Sequence, residues 1–384
     1  MNILFLYQNP LIPEAGGTER ITSLIIKGLI LRGYHCMAML ICDERTHQMS
    51  YNGDSISDLY QFLKTKAVDV VINQIAYSTW LLEEFLKQGG ERWKAEGGCI
   101  ISCLHFDPKS PSAFFNAKVA SKGSIRDYLN IAKTWLLYKR YERKVNVSAA
   151  HTFEYIYTHS NKFVVLSETH FKYMKSVWHR RDYSNLQAIN NPLTFDDISS
   201  DSICTQKKRV VLVVARMSEY HKRISIVLEA WKQLSKQGVI KNWTLKIVGD
   251  GPDLVDYKKY VHSNHFDNVC FLGQQNPEPY YKEASIFLMT SSAEGWGLTL
   301  TESLQRGVVP VVMNSSPVFC EIIEDAESGF LVRNNNLKAY VDAICKLIKD
   351  DALRIAMSRN CLTQAKKFSL NATIDKWENL LKNR

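Results

Sequence analysis

The sequence predicts an α/β protein of two domains, each built on parallel strands joined by crossover helices. Three observations lead there. Short apolar runs alternate with helix-length amphipathic segments, the pattern of parallel strands joined by crossover helices. The alternation stops in a polar stretch from Ile189 to Lys208, "INNPLTFDDISSDSICTQKK", and then restarts. The 384 residues, 46% hydrophobic and 23% charged, suffice for two cores of ordinary soluble composition.

The elements follow in order. "ILFLY" reads as a buried first strand, since it lacks the basic front and cleavage site of a signal peptide. "GTERITSLIIKGLILRG" has helical spacing and ends at Gly33, with Thr18 able to cap it. "HCMAMLIC", "VDVVINQ", "CIISCLH" and "NKFVVLS" read as strands, and "ETHFKYMKSVW" as a helix. After the linker come strand "RVVLVVA", helix "ISIVLEAWKQLSKQG", strand "WTLKIVG", a helix near "LVDYKKYVHS", and strands "NVCFLG" and "ASIFLMT". A helix from about Leu298 to Gly307, strand "VPVVMN" and a helical tail from Leu337 to Arg384 close the chain. The expected divisions are a first domain over 1–190, a linker over 191–208, a second domain over 209–365 and a final helix over 366–384.

Composition narrows the function. A net charge of +9 is too modest to establish nucleic-acid binding, and no nucleic-acid partner is expected; it suits anionic substrates or an acidic membrane surface. Nine scattered cysteines, with Cys99 and Cys103 the only close pair, indicate reduced cysteine and a cytoplasmic location. No run approaches 18 apolar residues, so no membrane-spanning helix is expected.

The chemical residues cluster after strands. Gly16 and Gly17 precede a helix, where exposed N–H groups can meet an anion; a plain loop pair fits equally. The absence of G-x-G-x-x-G there argues against a dehydrogenase. Arg216 follows a strand with Lys222 six residues on, a fork and a point charge for phosphate or, alternatively, a solvated basic loop. Gly249, Asp250 and Gly251 end the next strand and also fit a turn. In "SSAEGWGLTLTES", Glu294 lies in a loop, and Gly295 and Gly297 let backbone approach a ligand. The N–H groups of Leu298 and Thr299 can meet phosphate, and Glu302 one turn on can fork paired hydroxyls. A dipole-favoured acid and a surface acid would explain either glutamate alone.

Together these residues resemble the E-x7-E motif and its surroundings in retaining glycosyltransferases of family 4, the group 1 glycosyl transferases. The resemblance covers "EGWGLTLTE", Arg216, Lys222, the Gly249–Pro252 turn, the Gly16–Gly17 loop and "FLGQQNPEPYYKEASIFLMTSS" with Gly273. It implies a GT-B fold, two Rossmann-like domains facing a cleft, with the C-terminal helix crossing back to the first domain. It implies Glu302 on the donor ribose, Glu294 and Trp296 by the sugar, Arg216 and Lys222 on the diphosphate, and Gly17 as a first-domain contact. His105 resembles the histidine beside the transferred sugar; a structural hydrogen bond is its other explanation. Ala215 and Arg223 stand where glycines are usual, Trp296 where Phe is common, and Ser303 where Ala is.

The implied reaction moves a hexose or N-acetylhexosamine from a UDP-sugar, or a GDP-sugar, to a glycan or lipid-linked acceptor in cell-surface polysaccharide synthesis. It needs no cofactor and no metal; "FDD" at Phe195–Asp197 matches D-x-D only superficially. The basic, aromatic stretch Ser121–Lys144 suits peripheral contact with the inner face of the plasma membrane, or a solvated helix. A GT-B epimerase would share the fold without this E-x7-E context. A catalytically silent partner subunit would have lost one of Glu294, Glu302, Arg216 or Lys222, and all four are present.

Overall fold

The computed structural model describes residues 1–13, 16–109 and 125–384. The chain divides into two compact units. One holds the described residues up to 109, residues 125–192 and Leu370–Arg384; the other holds Leu193–Ser369.

The first unit is built on eight strands: β1 (Asn2–Tyr7), β2 (His35–Cys42), β3 (Met49–Tyr51), β4 (Asp54–Ser55), β5 (Val70–Asn73), β6 (Cys99–Leu104), β7 (Lys162–Val165) and β8 (Leu186–Ala188). Their order is β4-β3-β2-β1-β5-β6-β7-β8. Only the β2-β3-β4 edge is antiparallel. Every residue of β5 and β6 is buried, as expected of parallel strands covered on both faces.

The Gly17–Leu31 helix starts from Gly16, whose backbone is extended and supplies no side-chain cap. Thr18 therefore lies inside the first turn rather than capping it, and its carbonyl accepts the Thr22 hydroxyl at 2.8 Å. Glu19 closes over the helix start, and a Cβ on Gly16 would lie 2.4 Å from Glu19 Oε2.

The helical tail is broken. It forms helices Leu337–Lys349, Asp351–Ala365 and Leu370–Lys382, because Asp350 ends one helix and caps the next through Leu353 N–H at 2.8 Å. The last helix belongs to the first unit. Gly28 admits it, since a Cβ there would lie 2.5 Å from Ile374. Arg32 adds ion pairs to Asp375 and Glu378 at 2.7 and 2.6 Å.

The second unit has six parallel strands: β9 (Val210–Val214), β10 (Thr244–Val248), β11 (Val269–Phe271), β12 (Ile286–Met289), β13 (Val309–Asn314) and β14 (Phe330–Arg333). Their order is β11-β10-β9-β12-β13-β14. The chain winds outward from β9 through β11, then crosses to β12 on the other side of β9. Strands β9 and β12 thus flank a topological switch point, where open α/β sheets bind ligands beyond their carboxyl ends.

Candidate functional site

The carboxyl end of β9 leads into Ala215, Arg216 and Met217, and that of β12 into Thr290–Glu294. Two glycines shape the first of these loops. Gly249 has φ 131°, and a Cβ on it would lie 1.9 Å from the Ala215 carbonyl oxygen. At Gly251 a Cβ would meet the Met217 carbonyl oxygen at 2.5 Å. The turn after β10 therefore nests on the Arg216 loop, joined by Met217 N–H to the Asp250 carbonyl at 2.9 Å. The Gly249 N–H donates to the Gly273 carbonyl at 2.7 Å, which draws the end of β11 into the same stack. Arg216 is exposed and, among the described residues, has no ion-pair partner.

The short helix Glu219–Lys222 follows. Lys222 Nζ lies 2.5 Å from Glu294 Oε1, so the two loops meet in an ion pair across the switch point. A cavity of about 10 Å³ beneath it is lined by Ala215, Lys222, Thr290, Ser291 and Thr299 among others, roughly one water in size. Burial, then the charges of Lys222 and Arg216, push the His221 imidazole below its ordinary pKa.

The Leu298–Gln305 helix begins beside the pair. Gly297 precedes it at φ 95°, a left-handed backbone that glycine adopts without strain. Its carbonyl takes the N–H groups of Leu300 and Thr301 at 2.9 and 3.2 Å. The Leu298 and Thr299 N–H groups stand at the positive end of the helix, which carries no acid in its first turn. Glu302 is only 2% exposed and accepts the Thr194 hydroxyl at 2.8 Å. Trp296, between Gly295 and Gly297, is buried edge-on against Phe368 at 5.5 Å.

The second unit thus brings together Arg216, Lys222, Glu294, Gly295, Trp296, Gly297, Leu298, Thr299 and Glu302, with Gly249, Asp250 and Gly273 packed behind the Arg216 loop. His105, Gly16 and Gly17 lie in the first unit. His105 follows β6, and its Nε2 is hydrogen-bonded with Gln74 Oε1 at the end of β5. Its Nδ1 is buried and has no hydrogen-bond partner among the described residues. Burial pushes the His105 pKa down to about 4, so the ring is neutral near pH 7. At Gly16 the Glu19 carboxylate already occupies the positive helix end, and accepts the Tyr7 hydroxyl at 2.9 Å.

Three residues escaped sequence reasoning. Thr194 directly precedes the "FDD" stretch and Arg306 follows Glu302 by four residues, and neither belongs to a motif itself. Arg306 is 1% exposed and pairs with Asp197 and Glu278 at 2.9 and 2.8 Å. Asp197 of the "FDD" stretch is thereby engaged in an ion pair, which holds its carboxyl below the usual range. Arg223 stands at φ 49° beside Lys222; an arginine at a customary glycine position was its only signal.

The family described as "Glycosyl transferases group 1" matches residues 195–367. An uncharacterized glycosyltransferase of Haemophilus influenzae is 27% identical over 227 residues, 58% of this chain and 62% of its own length. The amylovoran biosynthesis glycosyltransferase AmsD of Erwinia amylovora is 24% identical over 59% of this chain and 64% of its own length. Neither alignment spans two thirds of the relative. The crystal structure of Anabaena HepE in complex with UDP superposes over all of both chains with a TM-score of 0.70 at 16% identity, a likeness of fold.

Proposed function

Since this chain carries a group 1 glycosyl transferase domain over residues 195–367 on the GT-B fold, we propose that it is a retaining, metal-independent glycosyltransferase of family 4. It moves a hexose or N-acetylhexosamine from a UDP-sugar to a glycan or lipid-linked acceptor in cell-surface polysaccharide synthesis. The observation that carries this reading is the Lys222–Glu294 pair at the switch point, between exposed Arg216 and the open start of the Leu298–Gln305 helix.

The diphosphate lies against Arg216, Lys222 and the Leu298 and Thr299 N–H groups. Its ribose hydroxyls are held by Glu302. Reaction breaks the bond from the anomeric carbon to the β-phosphate oxygen. The acceptor oxygen bonds on the same face, and its proton passes to the departing phosphate. Negative charge grows on that phosphate, where fixed cations and N–H groups stabilise it most. Glu294 touches the sugar as its ring gains positive charge. UDP is favoured because the fold relative HepE was crystallised with it.

Calorimetric titration tests this. UDP should bind, and Glu302→Gln should weaken UDP and the sugar donor alike by roughly tenfold to a hundredfold, the loss of a charged hydrogen-bond acceptor. Gln keeps the volume and an acceptor for Thr194. GDP binding in place of UDP would change the base; binding of neither would overturn the assignment.

The membrane proposal rests on the Ile125–His159 helix. Ser121 and Lys122 of the expected segment lie outside the described residues. Arg140, Tyr141, Arg143 and Lys144 are exposed along the helix. No helix among the described residues is long and apolar enough to cross a membrane. Neutralising Arg140, Arg143 and Lys144 should weaken binding to anionic vesicles roughly a hundredfold, at about 1 kcal/mol per basic residue. Co-sedimentation at low and high salt measures it, and unchanged binding would sink the membrane contact.

A further inference from the structure

We infer that Arg223 is a positioning residue that aims the Lys222 ammonium by tying the Lys222 loop to the Glu294 loop from beneath. The inference rests on the proposed donor role of Lys222.

Arg223 is the corner between the Glu219–Lys222 and Ile224–Lys236 helices. Its backbone is left-handed, φ 49° and ψ 49°, a conformation that strains a residue with a Cβ. Its side chain is 5% exposed, and no carboxylate pairs with it among the described residues. Burying a cation this way is costly unless its donors are met. Here they are met by oxygens of the β12 loop and the turn after β14. Nε donates to the Thr290 carbonyl at 2.6 Å, and Nη2 to the Ser291 carbonyl at 2.8 Å. Nη1 reaches Asn335 Oδ1 at 2.8 Å, and Nη2 also reaches Asn334 Oδ1 at 2.9 Å.

The bonds also run the other way. The Thr290 hydroxyl donates to the Lys222 and Arg223 carbonyls at 2.8 and 3.0 Å. Ser292 N–H donates to the His221 carbonyl at 2.8 Å. Residues 221–223 and 290–292 are thus laced together, with Lys222 on one side and Glu294 two residues beyond the other. A strained backbone and a buried cation both sit directly after the lysine. Neither is needed to continue a helix, and both are explained if the fork sets where the Lys222 side chain leaves its loop.

Steady-state kinetics with the sugar donor decide it, using Arg223→Gly and Arg223→Lys, each in the wild-type and the Lys222→Ala background. Glycine removes the backbone strain and the fork together; lysine keeps a charge without the fork. Both should lower kcat/KM at least tenfold in wild type. Both should change turnover less than twofold when Lys222 is already alanine, because residues acting through one another are not additive. Asn335→Gly, compatible with the φ of 65° there, should fold normally and lose two- to fivefold by loosening Arg223. That variant decides the matter if Arg223→Gly does not fold. Equal losses in both backgrounds, or unimpaired Arg223→Gly and Asn335→Gly, overturn the inference while leaving the donor site standing. Unimpaired Lys222→Ala would remove the donor role of Lys222 and this inference with it.

Discussion

Lys222→Ala will lower kcat/KM for the sugar donor by on the order of a hundredfold to a thousandfold, the loss seen when one preorganised charge stabiliser is removed from a transition state. Two effects add. The leaving diphosphate loses a cation. The Glu294 carboxylate, 2.5 Å from Lys222 Nζ, also loses its partner and is left facing the incoming phosphates. Glu294→Gln should behave differently. It frees the ammonium, so diphosphate affinity stays level or tightens while kcat falls, because the contact to the sugar counts mainly in the transition state. In a Lys222→Ala protein, Glu294→Gln should then recover part of the diphosphate affinity by removing the unpaired carboxylate. Turnover and calorimetric titration on folded variants separate these outcomes. Near-wild-type kcat/KM for Lys222→Ala, or equal loss of diphosphate affinity from either single variant, contradicts the assigned roles.

Gly249→Ala will damage stability and activity together. The added methyl would sit 1.9 Å from the Ala215 carbonyl oxygen at a φ of 131°. The opposing atom is backbone, so one of two strand ends must move. A cost of about 4 kcal/mol is expected of a severe backbone clash, lowering the midpoint by roughly 10 °C for a unit of this size. The loop that moves carries Arg216, so turnover should fall at temperatures where the protein is still folded. Gly273→Ala is the internal comparison. Its φ is also positive, at 73°, but nothing lies within 4 Å of the added methyl. It should cost only about 1 kcal/mol of conformational strain. Thermal unfolding that ranks the two variants equally would show that steric contact at Ala215 is not what glycine serves at position 249.

The buried parallel strands were legible because their apolar runs are continuous. β1, β2, β5, β6, β7, β9, β12 and β13 announce themselves this way, while β10 reads as the interrupted run "TLKIV" and β11 as the short, partly buried "VCF". The hairpin β3-β4 and strands β8 and β14 did not: β4 is exposed, and none of the four holds more than three apolar residues in a row. The charged groups of the second-unit site were legible as residue types at strand ends. Their mutual arrangement was not. Lys222 meets Glu294 across 72 positions, Thr194 meets Glu302 across 108, and Arg223 reaches Asn334 and Asn335 across 111 and 112. Such pairings depend on which strands become neighbours at the switch point, a long-range property that local spacing does not carry. Thr18 misled for a local reason, since Gly16 took the cap position through its own extended backbone.

The last helix gives the chain an unusual order of assembly. Leu193–Ser369 is one unbroken segment, so the second unit can close as soon as it has been synthesised. The first unit cannot. The groove that Gly28 opens for Ile374 stays empty until Leu370–Lys382 arrives, although the rest of that unit was made first. On the ribosome the nascent amino-terminal half must wait, with apolar surface on its Gly17–Leu31 helix uncovered, while some 180 residues are added. Domains usually mature in the order they are translated. Here the first to be translated is the last to be complete, and the interval is a window of exposure in which a chaperone or a neighbouring chain can compete for that groove.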